Sequence, residues 1–318
     1  MDNRQSVLIT GGSGRIGKFI VNNLKDYYKV VVYDTKKPKQ SDVDFIEGDL
    51  RDLDKFRQVT KNIDNIIHLA AYFTDRVMPS YSEGWDVNST GTFNVFESAV
   101  RNNVKKVVYA SSICATGIAT WVTSDHGLEY FPVDEKHHCR PENLYGVTKL
   151  LAEKLAWMYA IRSETIFIGF RIATVYFKSM EDGIDESTSS IVNKFIKDPT
   201  IFLNLEPLPD EKRSTYKIAD PRSAEKDLTW QYIDARDLAQ AFKLALLKNN
   251  IKYEIYNIGA ADTPTSWESL KLAKYFYPEV PILDPSSFLI DKKKPLWDIK
   301  KAQQELDYKP QHSWKEYL

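Results

Sequence analysis

The stretch VLITGGSGRIG, residues 7–17, runs from a short apolar segment directly into a turn that contains Gly11, Gly14 and Gly17. Apolar residues then recur at helical spacing as far as Leu24. This order predicts a strand, a tight turn and a helix. Glycines at these positions permit close approach of a pyrophosphate, to which the helix N-terminus presents N–H groups. An ordinary glycine-rich turn is the alternative interpretation.

Further apolar runs alternate with helical segments along the rest of the chain. They are KVVVYD (29–34), VDFIEGD (43–49), NIIHLAA (65–71), VKKVVYASS (104–112), ETIFIGFRI (164–172), LTWQYID (228–234) and YEIYNIG (253–259). Such alternation is typical of parallel β-α-β units. The sequence therefore predicts an α/β fold with a Rossmann-type doubly wound parallel sheet.

The character of the sequence changes after this first part. Residues 177–227 are polar, irregular and interrupted by prolines, which favours a long loop or a small subdomain. We expect residues 1–176 to form the dinucleotide-binding domain, completed by 228–260. Residues 177–227 and 261–318 would form a smaller, interleaved C-terminal substrate-binding region.

The overall composition restricts the classes of partner. The 318 residues are 43% apolar and carry 43 basic and 44 acidic side chains, so the charge balance points to neither nucleic acid nor an anionic membrane. With only Cys114 and Cys139, and no basic and apolar leader, a cytoplasmic protein is expected. The HHC stretch at 137–139 contains residue types that bind metals, but few ligands have useful spacing, and a loop is favoured over a metal site.

Two aspartates stand at the ends of the apolar runs KVVVYD and VDFIEGD. Asp34 ends the second run, where an acid can accept hydrogen bonds from a ribose and repel a 2′-phosphate, which favours NAD over NADP. The alternatives are a turn-forming aspartate, or a phosphate welcomed by Lys36 and Lys37. Asp49 would contact the adenine or cap the next helix.

Tyr145 and Lys149 are four residues apart at the start of another helical segment, in NLYGVTKLLAEKL. This spacing puts them on one helix face, which is compatible with a surface position or with an acid-base pair. An ammonium beside the phenol would lower the phenol's pKa and let it exchange a proton with an alcohol.

The motifs taken together resemble the extended short-chain dehydrogenase/reductases of the NAD-dependent epimerase/dehydratase family. The motifs are TGGSGRIG, GDLRD, HLAA, NSTGTFNVFESA, ASS, YGVTK, FRIATVY and WDIKKAQQELDYKP. The resemblance implies Tyr145 as the acid-base group, Lys149 as the residue that holds the nicotinamide ribose, and Ser112, rather than Ser111, as the group that binds the substrate oxygen. It also implies a set of cofactor contacts, which are Gly11, Gly14, Arg15, Ile16, Gly17, Asp34, Asp49, Leu50, Leu69, Ala70, Tyr145 and Lys149.

Departures from the family pattern narrow the expected reaction. Ile113 and Cys114 stand where sugar dehydratases carry acids, so dehydration is disfavoured. Thr174 and Trp230 stand where the family places the Asn and Arg that hold a nucleotide-sugar diphosphate. Trp230 would pack in the core or stack on a sugar. Arg213 or Arg222, in the polar insertion, are candidates to replace the missing arginine.

The sequence thus predicts an NAD-dependent enzyme that oxidises a hydroxyl of a sugar or sugar derivative. One alternative is a UDP-hexose 4-epimerase that retains NAD, and another is a non-catalytic NAD(P)-sensing protein. The resemblance also implies a homodimer, in which helices at about 89–102 and 145–162 pair across the interface.

Overall fold

The protein is described here by a computed structural model that covers residues 4–40, 42–73, 78–118, 128–179, 183–184 and 231–317. The strands are β1 (Ser6–Thr10), β2 (Lys29–Asp34), β3 (Asp44–Glu47), β4 (Asn65–His68), β5 (Lys106–Ser112), β6 (Ile166–Ile172), β7 (Thr174–Tyr176), β8 (Lys178–Ser179), β9 (Gly183–Ile184), β10 (Tyr232–Asp234) and β11 (Tyr253–Ile258). The helices are α1 (Arg15–Leu24), α2 (Leu53–Val59), α3 (Tyr81–Trp85), α4 (Gly91–Arg101), α5 (Leu144–Arg162), α6 (Ala235–Leu247), α7 (Ser269–Phe276), α8 (Pro285–Ile290) and α9 (Lys300–Leu306). Single 3-10 turns occupy Thr60–Asn62, Ile113–Thr116 and Trp314–Tyr317, and a π-helical turn occupies Asp86–Thr90.

A seven-stranded parallel sheet forms the centre of the fold. Its strand order is β11-β6-β5-β4-β1-β2-β3, and every neighbouring pair is parallel. Because parallel strands need crossover connections, helices cover both faces of the sheet. The prediction of a doubly wound α/β fold is confirmed.

The burial of β1 explains why its sequence is a continuous apolar run. Val7 and Ile9 pack in one core cluster with α1 and α6, whereas Leu8 packs in the other cluster with α4 and α5. Side chains of a strand alternate between the two faces of a sheet, and both faces are covered here. No position in β1 is therefore left for a solvated side chain.

The strand expected in LTWQYID forms at β10 but does not extend the large sheet. It pairs in parallel with β7, in a separate two-stranded sheet. The place beside β6 is taken by β11, which is the edge strand of the seven-stranded sheet. None of the helices in the described part of the chain is long and apolar enough to cross a membrane.

A buried lysine in β5 fixes the end of α6. The ammonium of Lys106 donates to the carbonyl oxygens of Ala245 at 3.0 Å, Leu246 at 2.6 Å and Lys248 at 2.5 Å. These carbonyls lie in the last turn and at the C-cap of the helix, where a positive charge is favoured, and the carbonyl of Ala245 also accepts from the N–H of Lys248 at 3.3 Å. Burial lowers the pKa of Lys106 to about 8, so the ammonium remains protonated at neutral pH.

We expect Lys106→Met to lower the free energy of unfolding by about 3 kcal/mol, because it leaves several buried carbonyls without their donor. Urea unfolding followed by circular dichroism measures this change. The neighbouring Lys105→Met is a matched control, since Lys105 is 61% exposed and forms only a surface ion pair with Asp64. Its expected cost is under about 1 kcal/mol. Equal costs for the two variants would refute the capping role of Lys106.

Candidate active site

The glycine turn presses the end of β1 against the start of α1. Gly11 has a φ of 72°, in the left-handed region, and a Cβ there would lie 2.7 Å from the backbone nitrogen of Ala70. A Cβ on Gly17 would lie 2.5 Å from the carbonyl oxygens of Gly11 and Gly12. Gly14 is the N-cap of α1 and provides no side-chain cap. The turn therefore has the backbone approach and the helix terminus that suit a dinucleotide pyrophosphate.

Other expected cofactor residues surround this turn. The backbone N–H of Leu69 donates to the carbonyl of Thr10 at 3.1 Å, which places the end of β4 beside the turn. The guanidinium of Arg15 lies 3.9 Å from the centre of the Phe177 ring, and Ile16 packs against the core. Both residues lie in the first turn of α1, where backbone N–H groups have no partner within the helix.

The carboxylate of Asp34 is held at the end of β2. It accepts hydrogen bonds from the backbone N–H of Ser13 at 3.1 Å and of Lys36 at 3.2 Å. The Ser13 hydroxyl in turn donates to the carbonyl of Lys36 at 2.5 Å. Asp34 thus ties the glycine turn to the segment after β2. Lys36 and Lys37 are exposed.

Asp49 does not cap the following helix, which was one alternative from the sequence. The N-cap of α2 is Asp52, whose side chain accepts from the N–H of Lys55 at 3.0 Å. The Asp49 carboxylate instead accepts from the N–H of Arg51 and pairs with its guanidinium at 2.6 Å. The neighbouring Leu50 is buried.

The structure brings Ser112, Tyr145 and Lys149 together at the carboxyl end of the sheet. Ser112 is the last residue of β5, and its hydroxyl lies near enough to the Tyr145 phenol to lower the phenol's pKa. Tyr145 and Lys149 lie one turn apart in α5, which begins at the N-cap Asn143. The Lys149 ammonium donates to the carbonyl of Ala110 at 2.8 Å and lies 5.6 Å from the centre of the Tyr145 ring. The Ser111 hydroxyl, by contrast, donates to Glu153 at 2.6 Å, so the two neighbouring serines have different partners.

The electrostatics of this cluster differ from the sequence-based expectation. Burial raises the pKa of the Tyr145 phenol above its ordinary value, and the hydrogen bond from Ser112 opposes this only in part. Burial also lowers the pKa of Lys149 to about 8. A lowered phenol pKa was expected from Lys149 alone. The expectation was wrong because burial disfavours the phenolate.

A buried histidine behind the site was missed by the sequence reasoning. Thr10 and His68 Nδ1 are 2.7 Å apart, and His68 Nε2 and Thr92 are 3.0 Å apart. Because the Thr92 hydroxyl donates to the carbonyl of Asn88 at 2.5 Å, it accepts from Nε2–H, and Nδ1 accepts from Thr10. Burial first, and the charge of Lys149 second, lower the pKa of His68 to about 3, so the ring is neutral.

Asn88 is a second residue that the sequence did not single out. Its side chain accepts from the N–H of Tyr72 at 2.8 Å and donates to the carbonyl of the same residue at 2.9 Å. It also donates to the Thr148 hydroxyl at 3.3 Å. Asn88 therefore connects the segment after β4 to the helix that carries Tyr145. In the sequence, Asn88 is visible only as a polar residue of the NSTGTFN motif. Its partner in α5, Thr148, is 60 residues away.

Thr174 and Trp230 are the two other residues expected to contact the substrate. Thr174 begins β7, two residues beyond Ile172, which pairs with Ser112 in the sheet. Its N–H donates to the carbonyl of Gln231 at 2.9 Å. Thr174 thus lies just past the strand end next to Ser112. Trp230 lies outside the described residues.

The HHC stretch belongs to a hydrogen-bonded loop. His137 Nε2 accepts from the N–H of Glu129 at 2.9 Å, and the Glu129 carboxylate pairs with His138 Nδ1 at 2.8 Å. Among the described residues, no three His, Cys, Asp or Glu side chains are grouped so that they could hold a metal ion.

Comparisons with known proteins agree with this geometry. The chain is 26% identical over 328 residues to UDP-glucose 4-epimerase of Lactobacillus helveticus, covering 96% of this chain and 92% of that protein. It is 26% identical over 178 residues to uronate dehydrogenase of Pseudomonas putida, covering 54% of this chain and 61% of that protein. The fold matches the crystal structure of UDP-glucose 4-epimerase from Brucella ovis in complex with NAD, with a TM-score of 0.68 and 21% identity over 98% of this chain and 95% of that one.

A family model also matches most of the chain. It covers residues 7–259, from β1 through the last strand of the sheet, and includes the glycine turn and the Ser112, Tyr145 and Lys149 cluster. The chain belongs to the NAD dependent epimerase/dehydratase family.

Proposed function

We propose that the protein is an NAD-dependent dehydrogenase that oxidises a hydroxyl of a sugar or sugar derivative. The observation that supports this most directly is that Ser112 at the end of β5 meets Tyr145 and Lys149 on one face of α5, at the same sheet edge as the glycine turn. Carboxyl ends of parallel strands share one edge, so a dinucleotide bound at the end of β1 extends toward the end of β5. The site then has a proton acceptor next to a hydride acceptor.

Each side chain has a distinct role in this proposal. Ser112 binds the substrate oxygen, and Tyr145 takes the hydroxyl proton. Lys149 holds the ribose hydroxyls and, as a cation, stabilises the negative charge that develops on the phenol oxygen. Bound NAD supplies the acceptor for the hydride. Burial favours the protonated phenol, so Tyr145 must first release its own proton to solvent, and Lys149 stabilises the phenolate that then accepts the substrate proton.

Four positions support the proposal that the substrate is oxidised rather than dehydrated and that it carries no nucleotide. Ile113 and Cys114 form the buried turn after Ser112, where a dehydratase carries acids. Thr174 and Trp230 replace the diphosphate-binding Asn and Arg of the family pattern. A relative of this chain is a uronate dehydrogenase.

Two other functions remain as candidates. A UDP-hexose 4-epimerase that retains NAD is favoured by the match with the Lactobacillus helveticus epimerase over nearly the whole chain. An arginine such as Arg213 or Arg222, both outside the described residues, would then bind the diphosphate. A non-catalytic NAD(P)-sensing protein ranks last, because it has no use for the assembled Ser112, Tyr145 and Lys149.

We also propose a division of the chain into two regions and a cellular location for the protein. Residues 1–176 and 228–260 carry the cofactor, and residues 177–227 and 261–318 form the region that recognises the substrate. The sequence contains only two cysteines, which supports a cytoplasmic location.

Incubation with NAD and a panel of free aldoses, sugar phosphates, uronates and UDP-hexoses tests the reaction. We expect NADH to accumulate with a non-nucleotide sugar, as read by absorbance of the reduced nicotinamide. Tyr145→Phe should reduce that turnover by about two or more orders of magnitude and leave NAD affinity largely intact, because only the proton acceptor is lost. Near-normal turnover in Tyr145→Phe would reject the mechanism. Conversion of a UDP-hexose to its 4-epimer without NADH would favour the epimerase.

We propose NAD as the cofactor in preference to NADP, since the Asp34 carboxylate is fixed by two backbone N–H groups and would repel a 2′-phosphate. Titration with each cofactor should show NAD bound at least about tenfold more tightly. Asp34→Ala should remove most of that preference. The double variant Lys36→Ala and Lys37→Ala is the control, and it should leave the preference in place. Equal or tighter binding of NADP to the wild-type protein would mean that the lysines, not Asp34, control the pocket.

We propose that α4 and α5 pair with a second copy of the chain. Large apolar side chains on these helices and on the preceding α3 are exposed, among them Trp85 at 43%, Phe93 at 40% and Trp157 at 52%. Light scattering at micromolar concentration should give a dimer, and Trp157→Glu should shift it to monomer. Ile290→Glu is the control, because Ile290 in α8 is 89% exposed but lies outside this face. A wild-type monomer would overturn the proposal.

A further inference from the structure

A buried ion pair lies one helical turn beyond Lys149. The Glu153 carboxylate accepts from Arg171 through two parallel bonds, Nε to Oε1 at 3.0 Å and Nη2 to Oε2 at 2.8 Å. The Glu153 and Arg171 side chains are only 4% and 7% exposed. Glu153 belongs to α5 and Arg171 to β6, so the pair joins the helix that carries Tyr145 to the sheet.

Glu153 also contacts the strand that carries Ser112. The hydroxyl of Ser111 donates to Glu153 Oε1 at 2.6 Å. Residues 145, 149 and 153 are spaced by four and share one face of α5. The Lys149 ammonium already donates to the carbonyl of Ala110. Two successive turns of α5 are thus bonded to two successive residues of β5, immediately before Ser112.

Arg171 continues the same network toward the segment that precedes α5. Its Nη1 donates to the carbonyl of Glu135 at 3.2 Å, and the Glu135 carboxylate accepts from the N–H of Asn257 at 2.8 Å. The Asn257 side chain donates to the carbonyl of Val133 at 3.1 Å. The loop before α5 is therefore bonded to β6 and β11.

Stability alone does not explain a charge pair in this place. Moving two charges out of water costs several kcal/mol, and an apolar pair of similar volume is often as stable or more stable. The bidentate geometry does supply what apolar packing lacks, which is a fixed distance and a fixed orientation. A catalytic cluster depends on such a fixed geometry, because a displacement of about 1 Å can cost about a hundredfold in rate.

We propose that Glu153 is a positioning residue for the reaction. Together with Arg171 and Ser111 it sets the register of α5 against β5, and so the distance from Tyr145 and Lys149 to Ser112. Arg171 applies the same constraint to the loop before α5. This inference rests on the proposed function, since it assumes that the Ser112, Tyr145 and Lys149 cluster turns over a substrate.

A comparison of a single and a double variant separates an effect on the geometry of the site from an effect on the stability of the protein. Glu153→Gln removes the negative charge that balances the Arg171 guanidinium and should lower both the melting temperature and kcat. The double variant Glu153→Leu with Arg171→Met removes both charges and should regain most of the melting temperature. If Glu153 positions the site, kcat of the double variant stays at least about tenfold below wild type, while KM for the sugar changes less than about threefold. Recovery of kcat together with the melting temperature would overturn the proposal.

A milder variant covers the case in which the double variant does not fold. Ser111→Ala removes only the bond between Glu153 and β5, and its expected cost in stability is about 1 kcal/mol. We expect kcat to fall several-fold at an unchanged sugar KM. Lys105→Met is the matched control, because Lys105 precedes β5 at the end opposite Ser112 and forms a 2.8 Å surface ion pair with Asp64, and it should leave kcat unchanged. Unchanged kcat in Ser111→Ala would contradict the positioning role.

Hydrogen exchange gives a readout that does not depend on turnover. Backbone amides of residues 144–152 should exchange at least about tenfold faster in the Glu153→Leu and Arg171→Met double variant than in wild type or Lys105→Met. Wild-type protein that turns over no sugar but shows this difference would defeat the proposed function and leave the mechanical role of Glu153 standing. Active wild-type protein with equal exchange and equal kcat in the double variant would defeat the positioning role alone.

Discussion

The close contact between the first strand and the first helix is the constraint on which the remaining structure depends. Gly17 in α1 lies so near the carbonyl oxygens of Gly11 and Gly12 that a Cβ has no room. This approach places the helix N-terminus directly above the carboxyl end of β1 and brings Ala70, after β4, against the turn. A helix terminus and several strand ends then meet at one edge of the sheet, which is where open parallel sheets bind ligands.

At the same edge, α5 supplies the chemistry and the sheet supplies its placement. Lys149 and Glu153 bond to Ala110 and Ser111 of β5, so the helix is attached by polar groups of opposite charge one turn apart. These groups are buried, which makes each interaction stronger and also makes each unpaired group costly. The raised pKa of Tyr145 and the lowered pKa of Lys149 follow from that burial. Their environment makes the acid-base pair sensitive to small changes in packing.

Membership of the family leaves the net reaction open, because this chain is similar both to UDP-glucose 4-epimerases and to a uronate dehydrogenase. In the proposed function, the two reactions are distinguished by how the substrate is held. In this chain the relevant positions are Thr174, at the start of β7, and Trp230. Thr174 lies two residues beyond Ile172, which pairs with Ser112. We therefore propose that the short β7–β10 sheet, rather than the large sheet, sets the substrate class.

The sequence by itself determined the elements whose signal is local. Continuous apolar runs identified the strands because both faces of the sheet are covered, and the glycine spacing located the turn because only glycine fits there. The spacing of Tyr145 and Lys149 indicated a shared helix face. Only the tertiary structure decided which distant groups meet. The Asn88–Thr148 bond, the Glu153–Arg171 pair and the direction of the Tyr145 pKa depend on burial and on partners far apart in the chain. Residue spacing carries no information about burial or about partners that are distant in the sequence.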